Sequence, residues 1–396
     1  MRTLLVILVG LSILFSACTT SDDTQVDDNS LPADLLFKTI TGNMGLYTTL
    51  MRVDAQTAQI STFYVDEGVY IRPISWSPNG DLLAILRESS LTSDYMELCL
   101  LTREGALQSC FEDKIVSYDF GDRGSNYMTT WSEDGHYIYF VTDYAQFFMT
   151  YTNPDGTWAA SLVKADVSTG QTQQVLYQTQ TVAHRPPSEV YWTEDLHYLL
   201  VREWNSTTID LWQNTEIALP QELSSQGHLL YCPKFSPQGQ YLIAQASLND
   251  ALTEWAVVTP EGQIVQTMGS DRLQQAGIAE MECPVWQSDE TSFYFIGHLQ
   301  DDSFSLFKYI LANDTLVNLR QLYPPNPQDP AFPSAIPHMP MRLASDNATL
   351  AITFWANSQT HIGVLGPTNQ WITYGEDADQ ILVGANPIWF PVADSD

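Results

Sequence analysis

Basic residues are scarce in this chain. Of its 396 residues only 16 are Lys or Arg, against 47 Asp or Glu, which gives a formal net charge of -31. Charged residues make up only 16% of the chain, well under the roughly 25% usual for soluble domains. The imbalance therefore comes from missing bases rather than surplus acids. Binding a phosphate backbone needs clustered Lys and Arg, and no such cluster occurs, which excludes DNA and RNA as partners. Cys-x-x-Cys and His-Glu-x-x-His spacings are absent too. His136, His184, His197, His228, His298, His338 and His361 are scattered, so no metal site and no cofactor is expected. There is no Gly-x-Ser-x-Gly nucleophile motif, no sustained helical period, and no apolar run after the N-terminus long enough to cross a bilayer. No catalytic residue set is identified. What is not scarce is core material: hydrophobics at 44% and aromatics at 12% exclude global disorder.

The N-terminus reads MRTLLVILVGLSILFSAC. Arg2 is a minimal positive start, and Leu4 to Phe15 form an apolar stretch of signal-peptide length. Phe15-Ser16-Ala17-Cys18 resembles a bacterial lipobox. That resemblance implies cleavage before Cys18 and a lipid on Cys18, hence a membrane partner through the anchor and a cell-envelope location outside the cytoplasm. The division expected is a signal peptide over 1–17, an acidic tether over 18–33 and a folded domain over 34–393. Outside the cytoplasm the other four cysteines can pair. Cys99 and Cys110 flank the turn Arg103-Glu104-Gly105 and lie nearly opposite on one hairpin. Cys232 and Cys283 each precede a Pro in equivalent places of neighbouring repeats, although such positions can lie beyond the roughly 7 Å Cα limit of a disulfide.

A self-similar segment organises the rest. It reads ISWSPNGDLLAIL at 74–86, TTWSEDGHYIYFV at 129–141, VYWTEDLHYLLV at 190–201, PKFSPQGQYLIAQ at 233–245, PVWQSDETSFYFI at 284–296 and MRLASDNATLAIT at 341–353. The anchors are Trp76, Trp131, Trp192, Phe235, Trp286 and Leu343, with a half-copy at Trp389. Their regular recurrence points to packing between repeats. Each copy is a strand, a tight turn and an apolar strand, and the Gly of the turn accepts positive φ. A second hairpin follows each copy, as in MELCLLTREGALQSC. Two hairpins make a four-stranded sheet, and radial repetition of such sheets is an all-β β-propeller. The N-terminus offers three strands without an anchor strand, and the C-terminus offers an anchor strand alone. Joined, they close the ring and protect its edges, which predicts seven blades; six is the alternative count.

The W-S-P-[DN]-G-x-x-[LI] pattern, best kept at Trp76 to Leu83 and Phe235 to Leu242, resembles the propeller repeat of TolB-type proteins and of prolyl-oligopeptidases. It loses its Gly after Gln287-Ser288-Asp289 and Ala344-Ser345-Asp346. The α/β domain of TolB has no counterpart before the repeats, so its partner role is not implied. The hydrolase domain of a prolyl-oligopeptidase has none after them.

Loop lengths are uneven between the two ends of the sheets. Turns inside hairpins are tight. The long connections, 119–128, 143–158, 178–189 and 320–341, all belong to the opposite end, where binding residues on a rigid scaffold usually reside. The expected ligand-binding residues are Tyr144, Phe147, Phe148, Tyr151, Trp204, Tyr323, His338 and Trp355, with aromatic faces as anchors. The alternative is that these aromatics fold inward and cap the channel. The function expected is a binding or scaffold module for an envelope protein, peptide or glycan. The alternative is a carbohydrate-active hydrolase or lyase using a pair of channel carboxylates.

Overall fold

The computed structural model describes residues 31–41, 47–67, 69–88, 95–116, 129–142, 161–175, 189–192, 198–202, 207–210, 215–218, 228–248, 251–282, 284–323, 336–356, 359–372, 382–383 and 385–391. Among them no helix is long and apolar enough to cross a membrane.

Strands β1 (Leu35–Thr41), β2 (Tyr47–Val53) and β3 (Ile60–Val65) open the chain. Sheet II follows with β4 (Tyr70–Trp76), β5 (Leu82–Glu88), β6 (Tyr95–Thr102) and β7 (Leu107–Val116). Sheet III holds β8 (Thr129–Trp131), β9 (Tyr137–Thr142), β10 (Ser161–Asp166) and β11 (Thr172–Val175). Sheet IV holds β12 (Glu189–Trp192), β13 (Tyr198–Arg202), β14 (Thr207–Asp210) and β15 (Thr215–Ala218). Sheet V holds β16 (His228–Phe235), β17 (Leu242–Leu248), β18 (Ala251–Val258) and β19 (Ile264–Gly269). In sheet VI the first strand is split into β20 (Ile278–Met281) and β21 (Val285–Trp286), both paired with β22 (Ser292–Leu299), then β23 (Phe304–Ile310) and β24 (Thr315–Tyr323). Sheet VII holds β25 (Ile336–Leu343), β26 (Leu350–Ala356), β27 (Gln359–Leu365) and β28 (Trp371–Ile372), with β29 (Leu382–Val383) also on β27. The last strand, β30 (Ala385–Trp389), pairs antiparallel with β1 to give sheet I in the order β3-β2-β1-β30.

The described residues form seven sheets, and five junctions between them are seen to pack face to face. Leu36 and Leu50 of sheet I pack on Ile71, Leu83 and Leu101 of sheet II. Ile74, Leu98 and Phe111 of sheet II pack on Trp131, Phe140 and Val163 of sheet III. Sheets V and VI share Trp255, Trp286, Phe293 and Tyr309; VI and VII share Ile296, Leu306, Ile352 and Phe354. Sheets VII and I share Ala351, Ile362, Leu35 and Phe37. Each fully buried Leu, Ile, Val or Phe among them contributes about 1.5–3 kcal/mol. Anchor strands touch from sheet to sheet: β12 with β16, β21 with β25, and β30 with both β25 and β4. They form the inner edge, while β3 and β19 at the far edge are largely exposed.

The anchor residues do more than fill space. Trp131 Nε1 donates to Ser75 Oγ at 3.1 Å, Trp286 Nε1 to the Lys234 carbonyl at 3.2 Å, and Trp389 Nε1 to the Arg342 carbonyl at 3.2 Å. In each case the acceptor directly precedes the anchor of the preceding sheet. The Ser after the anchor caps its own turn: Ser77, Ser132 and Ser236 each accept from the N–H five residues on, at 3.0, 2.9 and 2.9 Å.

The turns also touch one another around the ring. Gly80 has φ +73, and a Cβ there would meet Pro391 Cγ at 2.6 Å. In two of the copies that lose the Gly, positive φ is kept, at Glu290 (φ 58) and Asn347 (φ 57). Their side chains fill the place next to the preceding turn. The Glu290 carboxylate accepts from the Gln238 N–H. Asn347 Oδ1 accepts from the Ser288 N–H at 2.8 Å, and its Nδ2 donates to Ser288 Oγ at 2.7 Å.

A short helix, α1 (Ser270–Gln275), lies between sheets V and VI, where the sequence shows no helical period. Gly277 ends it with φ +73, and Arg272 fixes it to Asp314 at 2.6 and 2.7 Å. Cys99 and Cys110 face each other across β6 and β7 and are joined in a disulfide. The side chains of Cys232 and Cys283 lie outside the described residues.

Candidate functional site

The two ends of the sheets differ. At the tight-turn end the chain enters and leaves the fold together, since Phe390 N–H donates to the Asp34 carbonyl at 2.8 Å. A pocket of about 370 Å³ opens there, lined by Asp34, Arg52, Arg103, Phe390, Pro391 and their neighbours. That is within the size range of ligand pockets. Its charged groups are largely satisfied. Arg52 Nε donates to Asp34 at 2.6 Å. Arg103 donates to the carbonyls of Gly80 at 3.1 Å and Pro391 at 3.0 Å. The Phe390 ring lies 5.0 Å from one guanidinium and 5.7 Å from the other. This is the seam that locks β30 to β1.

Turn aspartates crowd the same end. Asp166 accepts from Ser168 Oγ and from the N–H groups of Ser168 and Thr169, at 2.7 to 2.9 Å. These bonds favour the carboxylate and hold Asp166 down at about 2. Asp134, bonded by Ser132 and the His136 N–H, is also held low.

The other end carries those expected ligand residues that the structure describes. Tyr323 ends β24, and its ring meets Phe304 edge-on at 6.3 Å. Trp355 lies at the end of β26 and is 51% exposed. The register sets Ile336 opposite Trp355 and His338 opposite Thr353, so these positions share one end of sheet VII. The side chain of His338 is outside the described residues, as are Tyr144, Phe147, Phe148, Tyr151 and Trp204. Sequence reasoning missed His298, which stacks on Phe304 at 4.5 Å between Glu280 (3.5 Å) and Asp302 (3.6 Å). The two carboxylates approach opposite ring nitrogens, so the three do not converge on one ion. Among the described residues the grouping with metal-like closeness is Glu97 with Cys99 and Cys110, and those sulfurs are consumed by the disulfide.

Two cations were also missed. Lys38 is fully buried in β1 and donates to the Tyr70 hydroxyl at 2.7 Å. The Arg72 guanidinium lies 5.8 Å from the same ring. Nearby Arg87 is held by Asp66 at 2.6 Å and Glu97 at 3.2 Å. Burial, with the Asp66 charge beside it, pushes the Tyr64 hydroxyl up.

No family model matches the chain, and no curated protein matches it. Solved structures do. An oligogalacturonate lyase from Vibrio parahaemolyticus superposes with a TM-score of 0.54 at 12% identity, over 89% of this chain and 85% of that one. TolB from Acinetobacter baumannii gives a TM-score of 0.44 at 10% identity, over 91% of this chain and 67% of that one. At such identity the lyase likeness shows the fold alone. With the antiparallel sheets and their inner ring of anchor strands, it makes this chain a β-propeller.

Proposed function

We propose that this β-propeller is a lipid-anchored, extracytoplasmic binding or scaffold module. Its working surface is the long-loop end. The observation that carries this reading is the hydrogen bond between Phe390 and Asp34. It ties the chain's entry point to the tight-turn end. A tether over the residues before Leu31, which is buried with Ala33 in the core between sheets VII and I, then leaves from that end, and a lipid on Cys18 draws it toward the membrane. The opposite end, with Tyr323, Trp355 and the long connections, faces away and is free to meet a protein, peptide or glycan. The net negative charge keeps the domain off anionic lipid, so attachment falls to the anchor.

The test is a comparison of variants at the two ends. The full chain in mild detergent is used to capture partners from bacterial envelope extract. Tyr323→Ala with Trp355→Ala is expected to lose a specific partner that Glu104→Lys, at the tight-turn end, retains. Equal retention by both variants would remove the assignment of the surface. A polysaccharide panel separates the enzymatic alternative: turnover abolished by a single Asp or Glu substitution at the inner edge would replace a binding role with catalysis.

A further inference from the structure

We propose that Arg72, backed by Tyr70 and the buried ammonium of Lys38, binds a carboxylate group of the ligand at the inner edge of sheet II. The proposal deepens the reading of the long-loop end as the binding surface and rests on it. Tyr70 begins β4, directly after the connection from sheet I, and so lies at that end. Arg72 follows two residues later on the same innermost strand.

The chain has 16 bases to distribute among 47 acids, so an arginine without an acceptor stands out. Arg52 has Asp34, Arg87 has Asp66 and Glu97, and Arg272 has Asp314. Arg72 has no hydrogen bond or ion pair among the described residues, and its Nε is buried with no partner. A buried donor left unpaired is costly, the more so when it carries a charge. Its contact with the Tyr70 ring at 5.8 Å supplies no acceptor. The planar fork of a guanidinium fits two oxygens of a carboxylate.

The surroundings support an anion. Lys38 brings a second charge to the same phenol, with its Nζ 4.9 Å from the ring centre. Thr48, fully buried on β2, keeps a hydroxyl without a partner, and its N–H donates to the Val69 carbonyl, next to Tyr70, at 3.4 Å. One carboxylate faces the cluster in register, Glu88 opposite Tyr70. It is buried and engaged in an interaction of its own. Among the described residues, Lys38, itself engaged in a further interaction, and Arg72 stand against Glu88 within a strongly acidic molecule.

The experiment is calorimetric titration of the full chain in detergent with sodium glucuronate, N-acetylglutamate and glucose. Saturable binding of at least one carboxylate is expected, and none of glucose; which of the two binds separates an acidic sugar from an acidic peptide side chain. Arg72→Gln should weaken that binding tenfold or more, and Arg103→Gln should leave it unchanged. Should Arg72→Gln fail to fold, Arg72→Lys decides: it keeps the charge, loses the fork, and is expected to bind more weakly than wild type. Binding of glucose as tight as of the acids, no saturable binding of either acid, or wild-type affinity in the folded Arg72 variant would overturn the proposal. That failure is distinguishable from failure of the binding surface. If Tyr323 and Trp355 substitutions still release a captured partner, the surface stands and only the carboxylate contact falls.

Discussion

Asn347→Ala is the sharpest perturbation of the ring of turns. Asn347 holds φ 57 and bridges to the turn of sheet VI through two side-chain bonds at 2.8 and 2.7 Å. Each bond contributes about 0.5–1.5 kcal/mol net. A left-handed conformation costs an ordinary residue roughly 1–2 kcal/mol more than it costs Gly or Asn. Alanine loses both bonds and meets the backbone cost, about 2–5 kcal/mol together. Glycine avoids the backbone cost but loses the same bonds, about 1–3 kcal/mol, and its greater chain flexibility adds roughly 0.5–1 kcal/mol. The Asn347 carbonyl still accepts from Gln287 Nε2 at 2.6 Å in both variants, so the difference isolates the backbone. The assay is urea unfolding followed by tryptophan fluorescence, with midpoints compared under matched conditions. The expected order is wild type, then Asn347→Gly, then Asn347→Ala. Wild-type stability of Asn347→Ala, or a glycine variant less stable than the alanine one, would refute the latch between turns.

Three further outcomes follow from the same geometry. Gly80→Ala should destabilise more than Gly135→Ala in thermal melts, because both have positive φ but a Cβ meets Pro391 at 2.6 Å in the first and nothing closer than 3.7 Å in the second. Asp166, titrated by carbon NMR, should show an apparent pKa of about 2. Because its folded-state value is depressed, its contribution is present above the ordinary carboxylate range and is lost as pH falls toward 2. Ser168→Ala should bring the titration back up. Trp286→Phe should keep the packing on Phe293 at 5.3 Å but lose the bond to the Lys234 carbonyl, a cost of about 1 kcal/mol read from the same urea curves.

Sequence carries what is periodic or local. The anchor strand, the Ser-capped turn and the apolar second strand recur, so sheets and their pairing are legible, including the union of β1 with β30. Cys99 and Cys110 are legible because the turn between them fixes their opposition. The helix at 270–275 is hidden by its length, although Ser270-Asp271 at its start and Gly277 at its end are ordinary boundary signals. Glu290 and Asn347 read as decay of the motif, because what they bond to lies in another repeat. Lys38 is the missed signal closest to legible: a single charge inside LLFKTIT, at an inward position of an apolar strand. Its partner Tyr70 and neighbour Arg72 come from the next sheet, and only folding sets them beside it.

The central claim is that binding occurs at the end of the propeller opposite the chain's entry. Hydrogen–deuterium exchange of the full chain, with and without a captured partner, reads both ends at once. The account predicts new protection around 320–323, 336–338 and 353–356, with the turns at 77–81 and 102–106 unchanged. Protection confined to those turns would contradict it.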